Sequence, residues 1–330
     1  VKYRAIDSRG EQCGGPMYYL SRGIPNRRLG KVLGLAFAAS AAIAAFGIGN
    51  MVQSNSIADA LHDSFGVPQW STGLVLAVGA GAVILGGIKR IGRVTGMFVP
   101  LMILTYLAAV LVVLVSHADR LPAAFDTIFT HAFSGTAATG GFAGAALAQA
   151  VRFGVARGIF SNESGLGSAG IAAAAAQTRK PAKQAMVSMT QTFIDTIVVC
   201  TFTGLALIVT DSWTTGLNGA PLTQHAFRTA LPGAWGGSIV AVALAMFAFS
   251  TILGWCYYGE KCTEYLFGER LVLPYRLLFV VMVYVGAVHS LEFVWTAADV
   301  MNGLMALPNL IGLLVLSGVV ARETRSFFDR

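Results

Sequence analysis

Charge is what this sequence has least of. Of its 330 residues only 12% are Asp, Glu, Lys or Arg, about half the share carried by a soluble domain. So few charges cannot coat a soluble globule of this size, which excludes a cytosolic enzyme and a disordered chain. Cysteine is also scarce. Cys13, Cys200, Cys256 and Cys262 form no CxxC pair and no Cys–His zinc spacing, so they read as free thiols. The histidines, His62, His117, His131, His225 and His289, are scattered. No HExxH, P-loop or GxSxG is present. No nucleophile–base pair or resident metal site emerges, and no cofactor is expected.

Apolar sequence dominates instead, with 55% hydrophobic residues. Eight stretches are long enough to cross a ~30 Å hydrocarbon core: about 32–60, 71–88, 97–116, 142–177, 184–209, 236–258, 275–292 and 296–320. The chain therefore reads as an all-α integral membrane protein. Residues 1–31 read as a loop and 321–330 as a tail. The net charge of +7 comes from residues clustered at alternate ends of these spans: 2–31, 89–93, 179–183, 261–276 and 322–330 hold 19 of the 23 basic residues. The positive-inside rule then puts both termini of this chain in the cytoplasm of a plasma (inner) membrane. Topology explains the basic excess, so no nucleic-acid partner is expected. Val1 opens the chain in a polar, basic segment, which reads either as a processed or engineered start or as a start downstream of missing helices.

The fourth span carries the most information. At about 36 residues it exceeds the ~20 needed for one crossing. Its centre, Ser161-Asn-Glu-Ser-Gly-Leu-Gly-Ser168, is rich in residues that favour caps and turns. We expect two half-helices with an unwound joint near mid-membrane, where irregular backbone survives only against protein or a water-filled cavity. Broken helices of this kind form solute sites in secondary transporters. Freed amides would attract a carboxylate, and freed carbonyls would hold an ammonium group or a cation.

Ionisable residues inside such spans should face protein. Arg157 either gates an outer vestibule or caps carbonyls at the break. Glu163 either holds the joint by hydrogen bonding or binds an ion. Asp195 either pairs with an arginine or carries protons. In the first span, Phe46, Asn50 and Gln53 share one helix face. Gln53 could bond a zwitterion or a neighbouring helix. In the sixth, Ser250 and Thr251 could offer oxygens to a hard cation or bond back to their own helix. Trp255, one turn on, could wall a small pocket or simply pack.

These motifs have a family look. Gly14-Gly-Pro-Met-Tyr-Tyr19, Gly49–Ser56, Gly86–Arg93, Ser161–Ser168, Phe249–Trp255 and Asn302–Asn309 resemble the alanine or glycine:cation symporter family from one end of the chain to the other. The resemblance implies a leucine-transporter-type five-plus-five inverted-repeat fold, here partial, with the eight spans matching core helices three to ten. It implies sodium-coupled import of alanine, glycine or a similar small neutral amino acid across a lipid bilayer. By the same resemblance Gln53, Ser161, Asn162, Gly165, Thr251 and Trp255 are substrate positions, and Ser250 with Thr251 are sodium ligands. The remaining sodium ligands are expected on a broken first helix that has no counterpart here. Ser164 stands where the family pattern would have alanine. Proton coupling through Asp195 or Glu163, or a non-transporting accessory subunit, are the competing expectations.

Overall fold

The computed structural model describes residues 1–7, 10–133, 143–231, 233, 235–289 and 292–329. Helix accounts for nearly all of it. A two-stranded antiparallel pair, β1 (Ala5–Ile6) and β2 (Gln12–Cys13), comes first, then α1 (Pro16–Gly23) and α2 (Arg27–Phe46). One π-helical turn, Gly47–Met51, joins α2 to α3 (Val52–Phe65). The chain continues through α4 (Gln69–Ile84), α5 (Gly87–Ser116), α6 (Leu121–Phe133), α7 (Ala143–Asn162) and α8 (Ala169–Ala174). A second π-helical stretch, Phe193–Cys200, links α9 (Pro181–Thr192) to α10 (Thr201–Val209). The last elements are α11 (Gly219–Ala230), α12 (Trp235–Phe267), α13 (Val272–Val288), α14 (Glu292–Val315) and α15 (Ser317–Phe328).

Six helical segments among the described residues are long and apolar enough to cross a bilayer: Arg27–Phe65, Gly87–Ser116, Pro181–Val209, Trp235–Phe267, Glu269–Val288 and Ala298–Val315. That is fewer than the eight expected. The second span is apolar but only 16 residues long, ending at Ile84. The fourth is divided between α7 and the six-residue α8. Residues 142, 290 and 291, at the edges of two expected spans, lie outside the described residues.

Helix extends into both ends of the chain, with α1 and the start of α2 inside residues 1–31. Pro16 starts α1 at a position where its missing amide costs nothing. Asn26 starts α2 by accepting from the amides of Arg28 (3.1 Å) and Leu29 (3.2 Å). The guanidinium of Arg4 donates to the carbonyls of Ala174 (3.3 Å), Ala176 (2.7 Å) and Thr178 (3.0 Å), groups that the end of α8 leaves without intrahelical donors. At the other end α15, an amphipathic helix set off from α14 at Leu316, runs to Phe328.

Small residues let the helices approach. The buried face of α2 is Ala38, Ala41, Ala42, Ala44 and Ala45 around Phe37. Gly49 meets the Trp255 side chain so closely that a Cβ there would lie 2.0 Å from the Trp255 Cβ. In a bilayer such contact supplies helix association that water cannot. One core gathers α1, α2, α12, α13 and α14, and a second joins α5, α10, α11 and the start of α12.

At one end of α12 the Lys261 side chain, 1% exposed, donates to Asp7 and Glu264 at 3.0 Å each, while Arg276 grips Glu260 through two hydrogen bonds. Partners on this scale are what make a buried charge tolerable. The Lys261–Asp7 pair fastens the strand pair to α12, and Arg276–Glu260 ties α13 to it.

Candidate functional site

The fourth span breaks where its composition suggests. Helix α7 ends at Asn162, and the next helix begins at Ala169, with Ser168 already at helical dihedrals before it. Glu163 adopts φ 56°, the left-handed conformation that ends helices, and its amide reaches back to the Ile159 carbonyl at 2.9 Å. The Asn162 side chain accepts from the Ser164 amide at 2.9 Å, an Asx turn. Gly165 and Gly167 then take φ 80° and 96°, where other L residues are strained. Among the described residues, the amides of Gly165, Gly167 and Ser168 donate no hydrogen bond. The joint thus presents a row of unpaired peptide donors.

Three neighbours hold it. Ser168 donates its hydroxyl to Glu163 at 2.7 Å across the loop. Glu163 also interacts with the Trp255 side chain. Asn309, 2% exposed and directly after Pro308 in α14, donates to the Gly165 carbonyl at 2.8 Å. The Asn309 oxygen accepts from the Tyr19 hydroxyl. A Cβ on Gly167 would lie 2.6 Å from Pro16 Cγ and 3.0 Å from Asn309 Cγ. The joint is therefore seated on α1 and α14.

The second π-helical stretch lies against the other side. Ser161 donates to the Asp195 carboxylate, 2.9 and 2.8 Å from its two oxygens, and stands 3.6 Å from Cys200 Sγ. Asn162 donates to Thr196 at 2.9 Å. Asp195 accepts hydroxyls, from Ser161 and from Thr196 at 3.2 Å, and no arginine pairs with it among the described residues. The arginine next to the joint has a different partner. Arg157 reaches Asp299 of α14 at 2.6 Å, with its guanidinium 5.5 Å from the ring centres of both Phe160 and Trp295. π-Helical turns recur at functional sites because they re-aim side chains out of the regular ladder.

The expected positions from other spans fall at different ranges. Trp255 is buried and reaches Glu163 on one side and Gly49 on the other. Gln53, one turn beyond Gly49, donates to the Ile48 carbonyl at 3.0 Å, a group set free by the first π turn, so its own oxygen remains an acceptor. Asn50, on the same helix face, turns away and donates to Phe279 at 2.7 Å. Ser250 and Thr251 both donate to the Phe247 carbonyl, at 2.7 and 3.0 Å. Neither hydroxyl reaches the joint among the described contacts.

Sequence reasoning missed Asn309, Tyr19, Asp299, Trp295 and Thr196. Asn309 had a signal: an amide directly after an internal proline, inside an apolar run. Such a proline frees a backbone group that a polar neighbour must satisfy.

Comparison with known proteins agrees with this architecture. The profile of the sodium:alanine symporter family matches residues 1–330. The sodium/alanine symporter AgcS of Methanococcus maripaludis is 54% identical over 331 residues, covering 99% of this chain and 72% of the relative. A Bacillus subtilis protein named "Probable sodium/glutamine symporter GlnT" is 36% identical over 327 residues, covering 98% and 66%. The amino-acid carrier protein AlsT of the same organism is 35% identical over 315 residues, covering 95% and 66%. A helix broken between α7 and α8, six helical segments among the described residues long and apolar enough to cross a membrane, and a family match along the whole chain lead to one conclusion: the chain belongs to the sodium:alanine symporter family, and it is a multi-pass, cation-coupled amino-acid transporter, not an enzyme.

Proposed function

We propose that the protein carries a small neutral amino acid, alanine or glycine, into the cell together with sodium. The observation that carries this reading is the row of free amides at Gly165, Gly167 and Ser168. Peptide donors in a site shielded from water hold a carboxylate far better than they would in water. The ammonium end of the zwitterion would meet the last carbonyls of α7 and the Gln53 oxygen. Ser161 and Asn162 would border the same space from the end of α7. Trp255 would wall it, leaving room for a methyl group and little more.

Sodium would use the oxygen lone pairs of Ser250 and Thr251. Both hydroxyl protons point to Phe247, so the lone pairs are what each group has left to offer a hard cation. Each ligand would bind better with the other in place, which is the coupling a symporter needs. The Arg157–Asp299 pair would serve as an outer gate. Both side chains are nearly half exposed, 44% and 49%, and pairs of that kind are worth only about 0–1 kcal/mol, so it opens and closes at small cost. We further propose the eight-span arrangement, the inverted-repeat fold and cytoplasmic termini in the plasma membrane.

Two gradients separate this from the proton reading, which the Asp195 carboxylate beside Ser161 favours. Labelled alanine uptake into proteoliposomes should follow an inward sodium gradient at constant pH. Uptake driven by a proton gradient without sodium would transfer the coupling role to Asp195. Failure to bind alanine at all would leave an accessory role.

A further inference from the structure

We propose that the cleft between the start of α9 and the tail helix α15 binds one anionic phospholipid. Arg179, Lys180 and Lys183 line this cleft of about 700 Å³ together with Met186, Val187 and Phe327. All three cations are exposed, and none of them forms an ion pair among the described residues. Some cations of the protein have acidic partners, such as Lys261 with Asp7 and Glu264, Arg276 with Glu260, Arg157 with Asp299 and Arg120 with Asp211. Here three positive side chains converge with no carboxylate in the lining. Glu323 lines an adjoining cleft together with Arg179 and Lys180, and it is paired with Lys2.

Depth selects the ligand. Helix α9 opens Pro181–Val209, a segment long and apolar enough to cross a bilayer, and Arg179, Lys180 and Lys183 at its end would then lie at the level of lipid headgroups. Met186 and Val187 follow three and four residues after Lys183. That is about 5 Å deeper at 1.5 Å per residue, where acyl chains begin. Phe327 closes the apolar side from α15. The cleft is thus cationic where a phosphate would lie and apolar where a chain would run, and basic pockets at a membrane face select anionic headgroups on that basis. A free phosphate would use the first half of the cleft and leave the second in water. The rim is fixed in place. Thr178 accepts the Lys180 amide through its hydroxyl at 3.2 Å and accepts Arg4 through its carbonyl.

The test is native mass spectrometry of the purified protein titrated with phosphatidylglycerol and, separately, phosphatidylethanolamine. One phosphatidylglycerol should be retained per chain, in clear preference to phosphatidylethanolamine. With each near-surface cation contributing about fivefold, the triple variant Arg179→Gln, Lys180→Gln, Lys183→Gln should bind it about 100-fold more weakly. Because these side chains are exposed, the variant should keep the parent's melting temperature. Phe327→Ala, which leaves every charge in place, should weaken binding about threefold. Equal retention of the two lipids would overturn the proposal, as would a triple variant that still holds phosphatidylglycerol. Displacement of the lipid by millimolar inorganic phosphate would also overturn it, reducing the cleft to an anion site.

Discussion

Between α2 and α3 the backbone passes through a single π turn at Gly47–Met51, whereas between α7 and α8 it leaves helical geometry from Glu163 to Gly167. The first interruption is repaired from within. Gln53 covers the Ile48 carbonyl from five residues away, and the helix resumes at once. The second is repaired only in part, and from outside: Asn309 takes one carbonyl, Ser168 braces Glu163, and three amides are left over. A π turn re-aims side chains while the ladder survives. An unwound joint gives up the ladder and gains peptide groups that a solute can use. That is why we place the site at the second interruption, with the first supplying Gln53 and the Gly49 seat for Trp255.

Substitutions should separate the two. The largest effect is expected from Gly167→Ala. It forces a Cβ onto φ 96° and to 2.6 Å from Pro16, costing about 3 kcal/mol from strain and overlap together. Thermal unfolding in detergent should record this, and alanine binding should be lost with it. Asn309→Leu comes next. It strips the Gly165 carbonyl of its donor and the Tyr19 hydroxyl of its acceptor, an orphaning worth about 2 kcal/mol. Its signature should be a loss of alanine affinity, by equilibrium binding, in protein that remains folded at the assay temperature. Smallest is Gln53→Leu at the π turn, about 1 kcal/mol of stability, because a solvated or relaxed backbone can absorb one missing bond. If Gln53→Leu unfolded the protein more readily than Gly167→Ala, the contrast between the two interruptions would be wrong.

Much of this layout could be read from the residues. The length of the fourth span and the cluster of Ser, Asn and Gly at its centre located the break, because caps and left-handed turns need those residue types. The spans followed from apolar runs, although the second proved short and the fourth divided. The π turns were hidden. Phe193–Cys200 carries no glycine or proline, and what accompanies its π register is tertiary: Asp195 and Thr196 accept from Ser161 and Asn162 at the end of α7. The partners of the joint were equally hidden. Tyr19 and Asn309 are 290 residues apart, and only folding shows that an amphipathic helix at the start of the chain meets a proline-containing one near its end. Ser250 and Thr251 had two open readings. The observed bonds to Phe247 satisfy the local one and leave their lone pairs for the other. The helix within residues 1–31 was hidden, because a basic, polar composition masks the amphipathic pattern of α1.

The central claim is that bare peptide groups at the joint grip the transported amino acid. Hydrogen–deuterium exchange over residues 163–168, with and without saturating alanine and sodium, tests it most directly. The account predicts that alanine slows exchange at Gly165, Gly167 and Ser168 and leaves the Gly47–Met51 turn little changed. Bound alanine with unaltered exchange at those three amides would contradict it.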